Sequence, residues 1–183
     1  GITLLGQAVA DANGSTWTFT DSTIRTNGQT VSYTALVTDS AGNQSAPQAV
    51  PYTVTIDTTA PAITPTISTV SDNVGVIQGP ILNSGFTNDA TPTINGTILA
   101  PLGAEDTLRI FNNGSLLPGT STVNNNNLTW TFAAVPPLVD GTYFITARVA
   151  DKQGNLGPLS NSFSFTLDTA PPLATASITN VAD

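Results

Sequence analysis

Along most of this chain Thr, Val, Ile and aromatic residues alternate with small polar ones. Turn-forming residues interrupt the alternation roughly every 8–12 positions, which is the rhythm of short strands. Leu128, Trp130 and Phe132 fall on one face of such a strand, with Thr129 and Thr131 on the other. Tyr143, Ile145, Ala147 and Val149 make a second apolar stripe. Phe163, Phe165 and Leu167, alternating with Ser162, Ser164 and Thr166, make a third. No stretch carries a helical period. The pattern predicts strands near 63–70, 92–98, 106–112, 115–122, 128–134, 142–150 and 160–168, and the three stripes as the core between them. Asn112-Asn113-Gly114 supplies a hairpin turn, and Asp140-Gly141 opens the sixth strand. About seven short strands in roughly 110 residues fit a two-layer antiparallel sandwich of immunoglobulin type.

The pattern occurs twice. Trp-Thr-Phe at 17–19, Thr-Asp-Ser-Ala-Gly-Asn at 38–43 and Val-Thr-Ile-Asp-Thr-Thr-Ala-Pro at 54–61 return as Trp-Thr-Phe at 130–132, Ala-Asp-Lys-Gln-Gly-Asn at 150–155 and Phe-Thr-Leu-Asp-Thr-Ala-Pro-Pro at 165–172. The offset stays near 111 residues, the mark of tandem copies of one domain. The first copy holds its stripes in the same phase: Trp17 and Phe19, then Val31, Tyr33, Ala35 and Val37, then Tyr52, Val54 and Ile56. The expected fold is therefore all-β, a tandem of immunoglobulin-like antiparallel β-sandwiches with about seven strands per complete domain. Residues 1–57 read as the C-terminal half of a truncated repeat, 58–62 as a linker and 63–168 as a complete repeat. Residues 169–183 read as a linker and the first strand of a third repeat, since Ile-Thr-Asn-Val-Ala-Asp at 178–183 matches Ile-Ser-Thr-Val-Ser-Asp at 67–72. A half domain should leave apolar strand faces and edges uncovered. Pro61, Pro65, Pro171 and Pro172 mark and stiffen the joints.

Composition removes several kinds of chemistry. The 183 residues include no Cys, His or Met, which excludes disulfides, thiol nucleophiles, imidazole acid-base catalysis and a Ser-His-Asp triad. Glu105 and Asp106 are adjacent and so point to opposite faces of a strand, and Lys152, the only Lys, lies in a polar turn. No enzyme activity is expected. Twelve acidic against four basic residues give a net charge of −8, which argues against nucleic acid and anionic membrane as partners. No apolar run reaches the roughly 20 residues of a membrane span. The Asn-x-Ser/Thr sequons at Asn13, Asn95, Asn113 and Asn127 are what loops rich in these residues produce by chance.

An ordered set of motifs carries a family resemblance: Val-Thr-Ile-Asp-Thr-Thr-Ala-Pro, Ser-Asp-Asn-Val-Gly, Thr-Asn-Asp-Ala-Thr-Pro-Thr-Ile-Asn-Gly-Thr, Leu-Arg-Ile-Phe-Asn-Asn-Gly, Trp-Thr-Phe, Asp-Gly-Thr-Tyr and Asp-Lys-Gln-Gly-Asn. It resembles the bacterial immunoglobulin-like repeats of giant secreted surface adhesins and biofilm-associated proteins, over nearly the whole chain. The resemblance implies a structural stalk or spacer at the bacterial cell surface, outside the cell. Such a stalk touches neighbouring repeats of its own chain and reaches a host-cell, matrix or abiotic surface through a distant tip domain. It also implies calcium as a stiffener of the joints.

Calcium takes six to eight oxygens, so the acidic positions matter. In a sandwich of this strand order the end of the last strand and the first interstrand loop share one pole, and the loop between the sixth and seventh strands lies at the other. Asp57 at the end of one copy, paired across the joint with Asp151 and Asn155 of the next, is one candidate site, and Asp168 would play the part of Asp57 at the following joint. A second is the long connection from Ser71 to Thr91, where Asp72, Asn73, Asn88 and Asp89 match the family's acidic positions. Asn88 stands where related repeats often carry Asp, which should hold affinity near 10⁻⁴–10⁻³ M. Asp and Asn also close loops by hydrogen-bonding their own backbone, and either reading accounts for these residues. The alternative function is a carbohydrate- or surface-binding accessory module of a secreted protein or extracellular hydrolase. It would use Phe86, Phe111 and Phe144, three rings that the stripes leave over and that look scattered along the chain.

Overall fold

A computed structural model describes residues 3–177 and Thr179, and among these every regular element is a strand. The predicted start of a third repeat at 178–183 lies, but for Thr179, outside the described residues. The chain divides into two units, residues 1–58 and 59–183.

Unit one holds two small antiparallel ribbons: β1 (Val9–Ala10) with β2 (Trp17–Thr18), and β3 (Thr30–Tyr33) with β4 (Tyr52–Thr55). The predicted stripes are in phase here but, Val31 apart, are not buried as a core. Trp17 is 57% exposed, and Val37 and Tyr52 are exposed as well. The physical reason is the lack of a second layer. The strands that bury the matching residues in unit two have no counterpart among the four of unit one. Local order comes from polar contacts: Asp21 accepts hydrogen bonds from Thr23 N (2.9 Å), Arg25 Nη2 (2.6 Å) and Tyr33 Oη (2.8 Å).

Unit two is a two-layer sandwich. Its strands are β5 (Pro65–Asp72), β6 (Gly79–Ile81), β7 (Gly85–Thr87), β8 (Thr93–Ile98), β9 (Thr107–Asn112), β10 (Ser115–Leu116), β11 (Gly119–Asn124), β12 (Thr129–Ala134), β13 (Gly141–Ala150) and β14 (Phe163–Leu167). One sheet runs β11-β12-β8-β5-β6 and the other β10-β9-β13-β14-β7. All neighbours are antiparallel except β14 and β7. This is the strand order of a constant-type immunoglobulin sandwich, with the first strand split so that its second part, β7, joins the opposite sheet beside the last strand. Strands are present near the seven predicted positions, except that the stretch predicted as one strand at 115–122 is broken at Leu117-Pro118 into β10 and β11, which join opposite sheets, since proline cannot donate to a ladder. The short β6 and β7 were not predicted, because Gly-Pro and Gly-Phe pairs in a Gly-rich connection carry no alternation.

The three stripes meet as predicted. Trp130, Phe132, Tyr143, Ile145, Ala147, Val149, Phe165 and Leu167 are buried with Ile67, Val70, Ile94, Ile98, Leu108 and Ile110. Leu128 and Phe163 pack at the margin, half-buried. Trp130 lies over Gly96, its cross-strand partner, and donates its Nε1 hydrogen to Thr97 O at 3.1 Å. A Cβ at Gly96 would come within 1.9 Å of Thr66 O and 2.3 Å of the Trp130 ring, so only glycine lets β5 and the indole approach this closely. Tyr143 stacks on Phe165 with centroids 5.2 Å apart, and its hydroxyl donates to Val139 O at 2.7 Å, tying the loop before β13 to the core. Asn161 clamps the register shift in β5, accepting from Ile67 N (2.8 Å) and donating to Ile67 O (3.1 Å).

Candidate functional site

The antiparallel register of β13 with β14 and β9 fixes the two ends of the sandwich in unit two. At one end Pro61 O lies against Gly157 and near Val149, so the chain enters beside the C-terminal end of β13. At the other end Gly141 pairs with Leu167, and Asp168 N donates to Thr87 O at 2.9 Å, so the chain leaves beside the start of β13. Entrance and exit lie at opposite poles.

Four aspartates stand at strand ends that face the exit pole. Asp72 ends β5, Asp89 follows β7, Asp140 precedes β13 and Asp168 follows β14. Asp89 is fully buried and Asp72 nearly so. Thr87 joins them: Asp89 N donates to Thr87 Oγ1 (3.0 Å), and that hydroxyl donates to Asp72 Oδ2 (2.6 Å). Asp89 also accepts from Asn73 N (3.1 Å), Thr91 N (2.8 Å) and Thr91 Oγ1 (3.1 Å), while Asp72 Oδ1 accepts from Val74 N (2.8 Å). Burial of a carboxylate requires such donors, because desolvating it without them is costly. Asn88 is exposed, with its amide against Gly75 in the same loop. Asp72, Asn73, Asn88 and Asp89 are thus brought into one loop cluster. Asp140 Oδ1 accepts from Thr169 N (3.0 Å) and Thr169 Oγ1 (2.9 Å), and Asp168 Oδ1 accepts from Ala170 N (3.0 Å). Lys152, Arg109 and Arg148, the basic residues of unit two, all lie toward the other half of β13 or beyond it.

The entrance pole carries Asp151 and Asn155. Asp151 accepts from Asn155 N (2.9 Å) and Asn155 Nδ2 (2.8 Å), while Asp151 N donates to Asn155 O (3.2 Å). Gly154, at φ +91°, turns the loop. Unit one repeats the device at Asp39, which accepts from Asn43 N (2.8 Å) and Asn43 Nδ2 (2.9 Å) around Gly42 at φ +90°. The asparagine side chain holds both carboxyls, Asp39 and Asp151, below the ordinary value of 3.8. Asp57 is exposed after β4 in unit one. Asp57 therefore belongs to one unit and Asp151 to the other.

For a cation, Asp72 and Asp89 offer two carboxylates and Asn73 and Asn88 two side-chain amides, the oxygen donors that calcium prefers. Among the described residues no three or more Asp or Glu side chains converge. Sequence reasoning missed Thr87, whose hydroxyl links the Asp72 carboxylate to the backbone N–H of Asp89. Its signal was available in the Thr-Asn-Asp at 87–89, a spacing that suits side-chain capping of the following backbone.

Phe86, Phe111 and Phe144 are not scattered. The register sets all three on the outer face of the second sheet, where Phe111 faces Thr146, Phe144 faces Ser164 and Phe86 faces Thr166. Phe86 is 78% and Phe144 50% exposed, while Phe111 is half-buried.

No curated protein sequence matches the chain. Among solved structures, the crystal structure of CopC from Methylosinus trichosporium OB3b matches with 18% identity and a TM-score of 0.35, over 50% of this chain and 90% of that one. So loose a likeness has no bearing on what this chain does. Residues 64–169 match the family model of the bacterial Ig-like domain, and with more than half its length in that match the chain belongs to the bacterial Ig-like domain family.

Proposed function

We propose that this chain is a stalk or spacer segment of a large bacterial extracellular adhesin, serving surface attachment or biofilm formation, with calcium stiffening the joints between repeats. Membership of the bacterial Ig-like family fits an extracellular-type module. The observation that carries the reading is the placement of entrance and exit at opposite poles of unit two. Copies joined through such poles add length instead of folding back. Tension between them runs along β5 and β14, whose ladders to β8 and β13 have hydrogen bonds perpendicular to the strands and therefore share the load. The work assigned is mechanical, with no chemistry on a substrate. Calcium enters through the exit pole, where Asp72 and Asp89 share one loop cluster and Asp140 and Asp168 stand at neighbouring strand ends, without a basic side chain. Neighbouring repeats are its partners, and a surface is reached through a tip elsewhere in the protein.

Two measurements on the full chain test the two parts separately. Force spectroscopy should show unit two unfolding in one cooperative event; gradual yielding strand by strand would refute the stalk. Scattering and melting curves with millimolar calcium and with chelator should differ, the calcium form being stiffer and the sandwich folded in both. Identical curves would remove calcium and leave the mechanical role standing.

A further inference from the structure

The chain has four basic residues, and two are matched: Arg25 pairs with Asp21 and Lys152 with Glu105, each at 2.6 Å. The other two sit together. Arg109 of β9 and Arg148 of β13 are directly opposite in the register on the outer face of the second sheet, and among the described residues neither guanidinium has a hydrogen bond or an ion pair. Like charges opposite one another on a sheet are destabilising. Of the 12 acidic residues of the chain, none of those among the described residues is brought to them. Arg148 Nε is moreover shut off from solvent without a partner. Farther along the same face stand the exposed rings of Phe144 and Phe86, separated by Thr and Ser hydroxyls.

We propose that this face binds a glycan bearing an acidic sugar, with the sugar carboxylate held between Arg109 and Arg148 and neighbouring neutral rings lying on Phe144 and Phe86. A planar guanidinium suits a carboxylate because its parallel N–H groups meet both oxygens. Arg148 lies four steps along the strand from Phe144, about 13 Å, so a ligand touching both is an oligomer. The net charge of −8 sets the ligand's charge density: two arginines accommodate an isolated carboxylate, while a polyanion such as nucleic acid is repelled by the rest of the surface. The site adds a ligand to the stalk reading and stands independently of it.

The test is affinity electrophoresis of the full chain in glucuronoxylan, whose neutral backbone carries scattered carboxylates, against the same polymer after carboxyl reduction. Retardation is expected in the first and its loss in the second. Arg148→Gln should weaken binding roughly tenfold or more, as loss of a charged hydrogen bond does. Arg148→Lys should recover only part of it, and the pair Phe86→Ala and Phe144→Ala should weaken binding while leaving its dependence on the carboxylate. Cooperative melting of every variant, with the Arg148→Gln midpoint no lower than the wild type's because a like-charge contact is removed, would show that the variants are folded. No retardation in glucuronoxylan, equal retardation in the reduced polymer, or an unaltered Arg148→Gln variant would each overturn the site. Retardation by RNA alone would overturn it in favour of an electrostatic nucleic-acid surface.

Discussion

The two tryptophans occupy matching places in the two copies and have opposite surroundings, so truncating each measures what the second layer of the sandwich contributes. Trp130 is 1% exposed and Trp17 57%. A buried tryptophan removes about 150–250 Å² from water, about 4–6 kcal/mol at 25 cal/mol per Å². Trp130 also gives a hydrogen bond to Thr97 O, an acceptor left without that donor when the indole is removed. Partial collapse of the site offsets some of this, and Trp130→Ala should cost about 3–5 kcal/mol. By the same scaling, Trp17→Ala costs at most about 2.5 kcal/mol. Because each unit holds one tryptophan, each variant leaves one reporter. In Trp17→Ala the emission comes from Trp130 alone, should be blue-shifted, and should follow unit two through a urea midpoint equal to the wild type's. In Trp130→Ala the remaining emission, from Trp17, should already be red-shifted without denaturant. Far-UV circular dichroism should then show the unit two midpoint lowered by roughly 2 M urea, given a slope of about 2 kcal/mol per M. A loss from Trp17→Ala as large as that from Trp130→Ala would refute the layer argument.

Three further outcomes follow from contacts in unit two. Gly96→Ala drives a methyl into the Thr66 carbonyl and the Trp130 ring, and because one obstacle is backbone the cost should reach about 3 kcal/mol, read as a lowered melting temperature with Trp130 fluorescence perturbed. Thr87→Val keeps the shape but removes the hydroxyl between the Asp72 carboxylate and the Asp89 backbone N–H, and the unmet buried carboxylate oxygen should cost about 1–3 kcal/mol in thermal denaturation; a neutral result would show that water replaces the hydroxyl. Asp151 is held below its ordinary value of 3.8 by the Asn155 side chain, so its stabilising contribution is complete above that value and is lost as pH falls through the lowered folded value. Urea midpoints of unit two should therefore fall on acidification below about pH 4, less steeply in Asp151→Asn; identical pH profiles would contradict the assignment.

The fold was legible because its strands are half-buried, and a half-buried strand writes its inward face at every second residue. Trp130 and Phe132, or Tyr143 to Val149, declare a core wherever a second sheet exists to cover them. Alternation is local, however, and covering is not. Trp17, Tyr52 and Val37 keep the pattern and remain exposed, since burial depends on strands that unit one does not contain. The same distinction explains β6 and β7. These strands of three residues each are held by pairing with β5 and with β14, and β14 lies roughly 80 residues away along the chain, where no local propensity records it.

The candidate sites divide along the same line. The recurring Asp-x-x-Gly-Asn turn is a local object: in both copies the aspartate accepts from the asparagine four residues on while a glycine at positive φ turns the chain, so its recurrence follows from loop closure alone. The exit-pole cluster is assembled from residues that sequence spacing keeps apart. Asp72 and Asp89 meet only because β5 and β7 belong to opposite sheets and the Ser71–Thr91 connection folds over their ends, with Thr87 as the hydroxyl between them. The outer-face arginines are another such object, since 39 positions separate Arg109 from Arg148 and only the β9–β13 register makes them neighbours. A turn that satisfies its own donors needs no ligand to explain it. Two guanidiniums set side by side with no partner among the described residues oppose folding, and relief of that opposition is what a bound carboxylate would supply.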